Sequence, residues 1–138
     1  MKPDHHILLI EDDEVDMMTV RRALKELGST NPLDHASDGE HGLAFLREPA
    51  NARPGLILLD LNMPRMNGIE FLIEMRKDAA LKSIPVVVLT TSQEEVDRVG
   101  SFGQSVSGYM VKPVDYPQFV EIMRTIKDYW TKSESSPK

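Results

Sequence analysis

The stretch Gly55-Leu56-Ile57-Leu58-Leu59-Asp60 decides how this chain is read. Five residues without a polar side chain deliver one carboxylate, and the turn formers of Leu61-Asn62-Met63-Pro64-Arg65-Met66-Asn67-Gly68 follow at once. An apolar run this short, without polar alternation, describes a strand covered on both faces, as central strands of parallel sheets are. Asp60 then stands at the strand's C-terminal end. Open parallel α/β sheets bind ligands in the crevice outside those ends, so a charged side chain placed there is a candidate functional group.

Outward from Asp60, apolar runs alternate with helical patterns in both directions. Upstream, Ile7 to Ile10 predicts a strand and Glu14 to Leu27 a helix, with Val15, Met18, Ala23, Leu24 and Leu27 as its apolar stripe and Gly28 as its stop. A weaker strand is expected around Pro32 to Ala36. Ser37-Asp38-Gly39-Glu40 then has capping-box spacing and opens a short helix with Leu43, Ala44 and Leu46. Downstream, Ile69, Phe71, Leu72 and Met75 mark the inner face of a third helix that ends near Asp78. Ile84-Pro85-Val86-Val87-Val88-Leu89-Thr90 reads as a β-branched strand. Ser92-Gln93-Glu94-Glu95 opens a fourth helix to about Phe102, Val106 to Val111 forms the last strand, and Asp115 caps a helix running to Trp130. Successive strand-helix units imply an α/β doubly wound parallel sheet with right-handed crossovers. The flavodoxin-like (βα)5 strand order 2-1-3-4-5 is the most economical arrangement.

With 138 residues, 41% of them hydrophobic and 28% charged, the chain fits one globular domain over residues 1–131. The small, polar residues 132–138 are expected to form a loose tail. A net charge of -6 with no basic face argues against a nucleic-acid partner. The absence of cysteine excludes disulfides, thiolate metal sites and cysteine nucleophiles. No segment has the length of a signal peptide or membrane span, so a cytoplasmic protein is expected. His5, His6, His35 and His41 show no ligand spacing with an acid and read as surface or strand-edge residues. Asp13 and Glu14 read as first-turn acids favoured by the helix dipole.

In the 2-1-3-4-5 order the first and third strands lie side by side, and Glu11, Asp12, Asp60, Thr90 and Lys112 converge at their C-terminal ends. Crowded carboxylates repel unless a cation offsets them, and hard oxygen ligands in an incomplete cage suit Mg²⁺, which keeps several waters. Lys112 offers a compact positive charge and Thr90 a hydroxyl donor, a pair suited to a phosphoryl group.

These residues resemble the receiver domain of two-component response regulators: Glu11-Asp12 after the first strand, Asp60 with Met63-Pro64 and Gly68 after the third, Thr90 after the fourth, Lys112-Pro113 after the fifth. The resemblance spans Ile7 to Trp130. It implies that Asp60 is the phosphoacceptor for a phosphohistidine of a sensor histidine kinase. It further implies that Asp12, Asp60 and the Asn62 backbone carbonyl bind Mg²⁺, with Glu11 acting through a water. Thr90 and Lys112 would contact the new phosphate, Tyr109 would be the switch aromatic that follows Thr90, and the Lys112-Pro113 bond would be cis. Thr91 stands where a smaller residue is common in the family, which bears on the lifetime of the phosphate. The Thr90-Thr91-Ser92 run and the C-terminal aromatics look like the stand-alone regulators of phytochrome kinases.

At roughly 100° per residue, Tyr116, Phe119, Val120, Ile122, Met123, Ile126, Tyr129 and Trp130 cover about half of the last helix. That exceeds what one sheet face needs. A homodimer through the fourth helix, fifth strand and fifth helix is therefore expected, with Val99, Phe102, Tyr116, Val120 and Met123 at the interface. Two other functions compete with the phosphoacceptor: a phosphate-independent scaffold, and a phosphohydrolase of the haloacid dehalogenase type. The hydrolase needs a second acid two residues after the nucleophile, where Asn62 stands. The scaffold is opposed by the presence of all five site residues.

Overall fold

Strands β1 (His6–Ile10), β2 (Leu33–Ala36), β3 (Pro54–Asp60), β4 (Val86–Thr90) and β5 (Gly108–Val111) form one sheet in the order β2-β1-β3-β4-β5. Every pairing is parallel. The computed structural model describes residues 5–61, 66–90, 93, 94, 96, 97, 106–113 and 115–135, with side chains to residue 129 in the last helix. Helices α1 (Glu14–Glu26), α2 (Gly39–Arg47), α3 (Gly68–Lys77) and α4 (Tyr116–Ser135) cover the sheet. The doubly wound fold and strand order are those expected from the sequence.

Successive strand residues point to opposite faces, so each apolar strand feeds two cores. Leu8, Ile10, Ile57, Leu59 and Val88 pack with Leu43 of α2 and Phe71, Leu72 and Met75 of α3. Ile7, Leu9, Leu56, Leu58 and Leu89 pack with Val20, Ala23 and Leu24 of α1 and Phe119, Val120, Met123 and Ile126 of α4. This second face is tied across its helices as well. Arg22 lies 4.3 Å over the Tyr116 ring, and Lys127 Nζ donates to the Leu27 carbonyl at 2.9 Å.

Helix phase and caps depart from the sequence reading. Val15 and Met18 are 71% and 59% exposed, whereas Val20 is buried. The buried set Val20, Ala23 and Leu24 fixes the inner face, and at about 100° per residue Val15 and Met18 lie roughly 140° and 160° away from Val20. Asp38, not Ser37, caps α2, accepting from the His41 backbone N–H at 2.8 Å. The reciprocal capping box belongs to α3, where Glu70 N–H donates to Asn67 Oδ1 at 3.0 Å and Asn67 N–H to Glu70 Oε1 at 3.1 Å. Asp13 is the N-cap of α1 rather than a residue of its first turn.

Further expectations are corrected. His6 Nδ1 lies 2.7 Å from Asp34 Oδ2 and His41 Nδ1 lies 2.8 Å from Asp38 Oδ1, so two histidines do pair with acids. No cis peptide bond occurs among the described residues, and Lys112-Pro113 is trans, the form a prolyl bond intrinsically favours by about 0.5–1 kcal/mol. Helix continues through Ser135, where a loose tail was expected from Lys132. Val120 and Met123, expected at a dimer interface, are 7% and 1% exposed within the chain's own core. Val99 and Phe102 lie outside the described residues, as does most of the helix expected from Ser92. Gln93, Glu94, Val96 and Asp97 are helical. Among the described residues, no helix is long and apolar enough to cross a membrane.

Candidate functional site

Three strands end together. Ile10 of β1 is paired with Leu59, Asp60 of β3 with Leu89, and Thr90 of β4 with Val111. The residues following β1 and β5 therefore meet Asp60 and Thr90 at one edge of the sheet. Glu11 adds one more rung to the β1–β2 pairing, its N–H donating to the Ala36 carbonyl at 3.0 Å. The chain then turns through Asp12 to Asp13, whose side chain accepts from Val15 and Asp16 N–H and starts α1.

Beyond β3, α3 presses directly on the backbone that carries Asp60. A Cβ at Gly68 would lie 2.8 Å from Leu61 Cα and 2.9 Å from the Asp60 carbonyl oxygen, so this approach requires glycine. The Gly68 N–H donates to the Leu61 carbonyl at 3.1 Å and fastens the turn. On the opposite side of Glu11, His35 Nε2 lies 2.6 Å from the Glu11 carbonyl oxygen. Nothing in the sequence separated His35 from the other histidines, because the contact follows from the β1–β2 register.

Glu11 and Asp60 are buried at 2% and 8% exposure, whereas Asp12 is exposed. Glu11, Asp12 and Asp60 each offer an oxygen within 4.8 Å of the others. Lys112 enters from the end of β5, held by its N–H donating to the Thr90 carbonyl at 2.6 Å. Its Nζ lies 3.1 Å from Glu11 Oε1, 3.4 Å from Asp16 Oδ2 and 3.8 Å from Asp60 Oδ1. Thr90 is fully buried beside them.

Burial pushes the Glu11 carboxyl up to about 8, and the neighbouring Asp60 carboxylate adds to that rise against the opposing charge of Lys112. Burial alone would lower Lys112, but the Glu11 and Asp60 carboxylates outweigh it and hold the ammonium above its usual range. Glu11 Oε2 is shut off from solvent and receives no hydrogen bond from the protein. An acceptor so placed, among three converging carboxylates, fits a divalent cation or a water bound to one.

The structure thus brings together Glu11, Asp12, Asp60, Thr90 and Lys112. Tyr109 stands apart from them: it pairs with Val88, two residues before Thr90, and is 36% exposed. Asn62, with the rest of residues 62–65, lies outside the described residues. Sequence reasoning missed Asp16 as a partner of Lys112. Its signal lay three residues past the Asp13 N-cap, in the first turn of the helix that follows the β1 strand end.

Comparison with known proteins agrees with this geometry. Residues 7–124 match the response regulator receiver domain family. Response regulator Rcp1 of Synechocystis sp. is 36% identical, covering 98% of this chain and 95% of that protein. The probable methanogenesis regulatory protein FilR2 of Methanothrix harundinacea is 34% identical, covering 95% of this chain and 86% of its own length. Among solved structures, the phosphorylated cyanobacterial phytochrome response regulator RcpA superposes with a TM-score of 0.85 at 37% identity, covering 98% of this chain and 99% of that one. The Mn²⁺-bound form of Rcp1 gives 0.82 at 36% identity, covering 97% and 99%. A buried aspartate at the end of the central strand, two further acids, a threonine and a lysine on neighbouring strands, and a family match across most of the length lead to one assignment: this chain belongs to the response regulator receiver family, the CheY-like domain of two-component systems.

Proposed function

We propose that Asp60 accepts a phosphoryl group from a phosphohistidine of a sensor histidine kinase in the presence of Mg²⁺, and that the modified site alters a protein-binding surface. The observation that carries this reading is Asp60 itself, 8% exposed at a strand end, with the Lys112 ammonium 3.8 Å away and the fully buried Thr90 on the next strand. An Asp60 carboxylate oxygen attacks phosphorus. The O–P bond forms as the N–P bond breaks, and the imidazole nitrogen leaves with the bonding pair.

Lys112 pairs with one phosphoryl oxygen and the Thr90 hydroxyl donates to another, which draws both toward Asp60. Asp12 and Asp60, with the Asn62 carbonyl, would hold the cation, and Glu11 would act through a bound water. Bound there the cation offsets the charge of the phosphoryl oxygens. The Mn²⁺-bound form of Rcp1 supports a divalent cation in this family.

RcpA's description as a phytochrome response regulator supports a phytochrome kinase as donor. Tyr109, Val111 and Tyr129, exposed on β5 and α4, support that face as the homodimer surface in place of Val120 and Met123.

The test is incubation with Mg²⁺ and acetyl phosphate, followed promptly by intact mass. A gain of about 80 Da, one phosphoryl group, that requires Mg²⁺ and is lost in Asp60→Asn supports the reading. Failure to form an adduct with small donors and with a panel of histidine kinases favours a phosphate-independent scaffold.

A further inference from the structure

Lys112 is shared among three carboxylates, and only two of them, Glu11 and Asp60, belong to the strand-end cluster. The third, Asp16, sits on α1 and takes the ammonium at 3.4 Å, nearer than Asp60 at 3.8 Å. We propose that Asp16 is a positioning residue: while Asp60 is unmodified it keeps the Lys112 ammonium at ion-pair rather than hydrogen-bonding distance from Asp60, so that the lysine competes less with the cation for that carboxylate, and it yields Lys112 when a phosphoryl group arrives. This rests on the Asp60–Mg²⁺ reading and adds to it a residue outside the strand-end set.

The local structure places Asp16 for this task. Asp13 caps α1 and receives the Asp16 backbone N–H at 3.1 Å, which makes Asp16 the third residue of the first turn. Side chains in a helix lean toward its N-terminus, so the carboxylate reaches back over the strand ends. The Lys112 side chain is only 13% exposed, whereas that of Asp16 is 47% exposed. Asp16 also lines an open cleft of about 340 Å³ with Thr19, Arg22, Lys112, Pro113 and Tyr116. The ammonium is therefore drawn toward the solvent side of the site, and water can solvate Asp16 once the lysine leaves.

An ammonium carries three donors. Glu11 and Asp16 lie within hydrogen-bonding reach, at 3.1 and 3.4 Å. The Asp60 oxygen at 3.8 Å is beyond it. Without the pull of Asp16, Lys112 closes on Asp60 and competes there with a metal ion for the same carboxylate. Two positive charges seeking one oxygen set disfavour each other, so metal affinity falls. An arriving phosphoryl group, with roughly two negative charges, outcompetes the single half-solvated carboxylate of Asp16.

The test is Mg²⁺ titration by calorimetry on the unphosphorylated full chain, as wild type, Asp16→Asn, Lys112→Met and the double variant, with Lys112→Gln as the alternative background should Lys112→Met not fold. Asp16→Asn is expected to weaken Mg²⁺ binding about threefold to tenfold when Lys112 is present. In the Lys112-deleted background it should change binding by less than about twofold, since the effect passes through the lysine. Asp16→Glu, which still reaches Lys112, should restore most of the affinity. An equal loss in both backgrounds would show that Asp16 acts only through its charge and would overturn the proposal, as would no loss at all. Wild-type protein that binds no Mg²⁺ would instead overturn the underlying reading of the site.

Discussion

Raising the pH from 7 to 9 should tighten Mg²⁺ binding by about tenfold, and the structure supplies the reason. The Glu11 carboxyl is pushed up to about 8 from an ordinary 4.5 by burial and by Asp60. At pH 7 about one molecule in eleven has Glu11 ionised in the metal-free fold, and at pH 9 about ten in eleven do. Cation binding to the Glu11–Asp12–Asp60 set favours the ionised form, so a proton leaves as Mg²⁺ enters, and the logarithm of affinity rises with a slope approaching one below pH 8. Calorimetry in two buffers of different ionisation enthalpy counts that proton directly. The same shift reverses sign in the metal-free protein's stability. Between about pH 4.5 and 8 the folded state binds more protons than the unfolded state, so stability is greatest below the lower value and is lost as pH rises through the upper one. Glu11→Gln should abolish both dependences. Wild-type Mg²⁺ affinities at pH 7 and 9 that agree within twofold, with no proton released, would refute the assignment of a buried protonated Glu11.

Asn67→Ala removes the reciprocal cap of α3 and should lower stability by about 1 kcal/mol, read as a shift in urea midpoint at constant slope. Met75→Ala empties a site that is fully buried beneath α3 and should cost about 2–5 kcal/mol in the same assay. Val15→Ser and Met18→Ser should each stay within about 0.5 kcal/mol of wild type, because both face solvent. A loss of more than about 2 kcal/mol at either would restore the sequence-derived phase of α1.

What could be read in the sequence follows from how local each determinant is. The strands were legible because Leu56 to Leu59 and Val86 to Leu89 are apolar without alternation, a pattern that survives any uncertainty in register. The strand-end residues Glu11, Asp60, Thr90 and Lys112 were legible with them, since each is fixed by its own strand. The phase of α1 was not: Val15 and Met18 are apolar, and apolarity alone does not say which face a helix buries. Asp13, Asp38 and Asn67 each cap a separate helix, and which residue near a helix start takes the cap is decided by backbone geometry within one or two positions. The contacts of Lys112 join residues 101 and 96 positions apart. Their existence could be inferred from topology, but their ranking could not.

That ranking gives the site its logic. Among the described residues, Glu11, Asp16 and Asp60 share one ammonium and Asp12 stands beside Glu11 and Asp60, an imbalance that a cluster with buried members does not sustain without further positive charge. The fold supplies it in the metal-free state by keeping a proton on Glu11, the most buried of the four, and by setting Lys112 against Glu11 and Asp16. Mg²⁺ would replace that proton, and a phosphoryl group on Asp60 would claim the lysine. On the proposed reading each arrival would displace a counter-charge already in place, so modification at Asp60 would be felt at α1 through Asp16 and at β5 through Lys112. On this reading a signal leaving the site has two physical exits, α1 and β5.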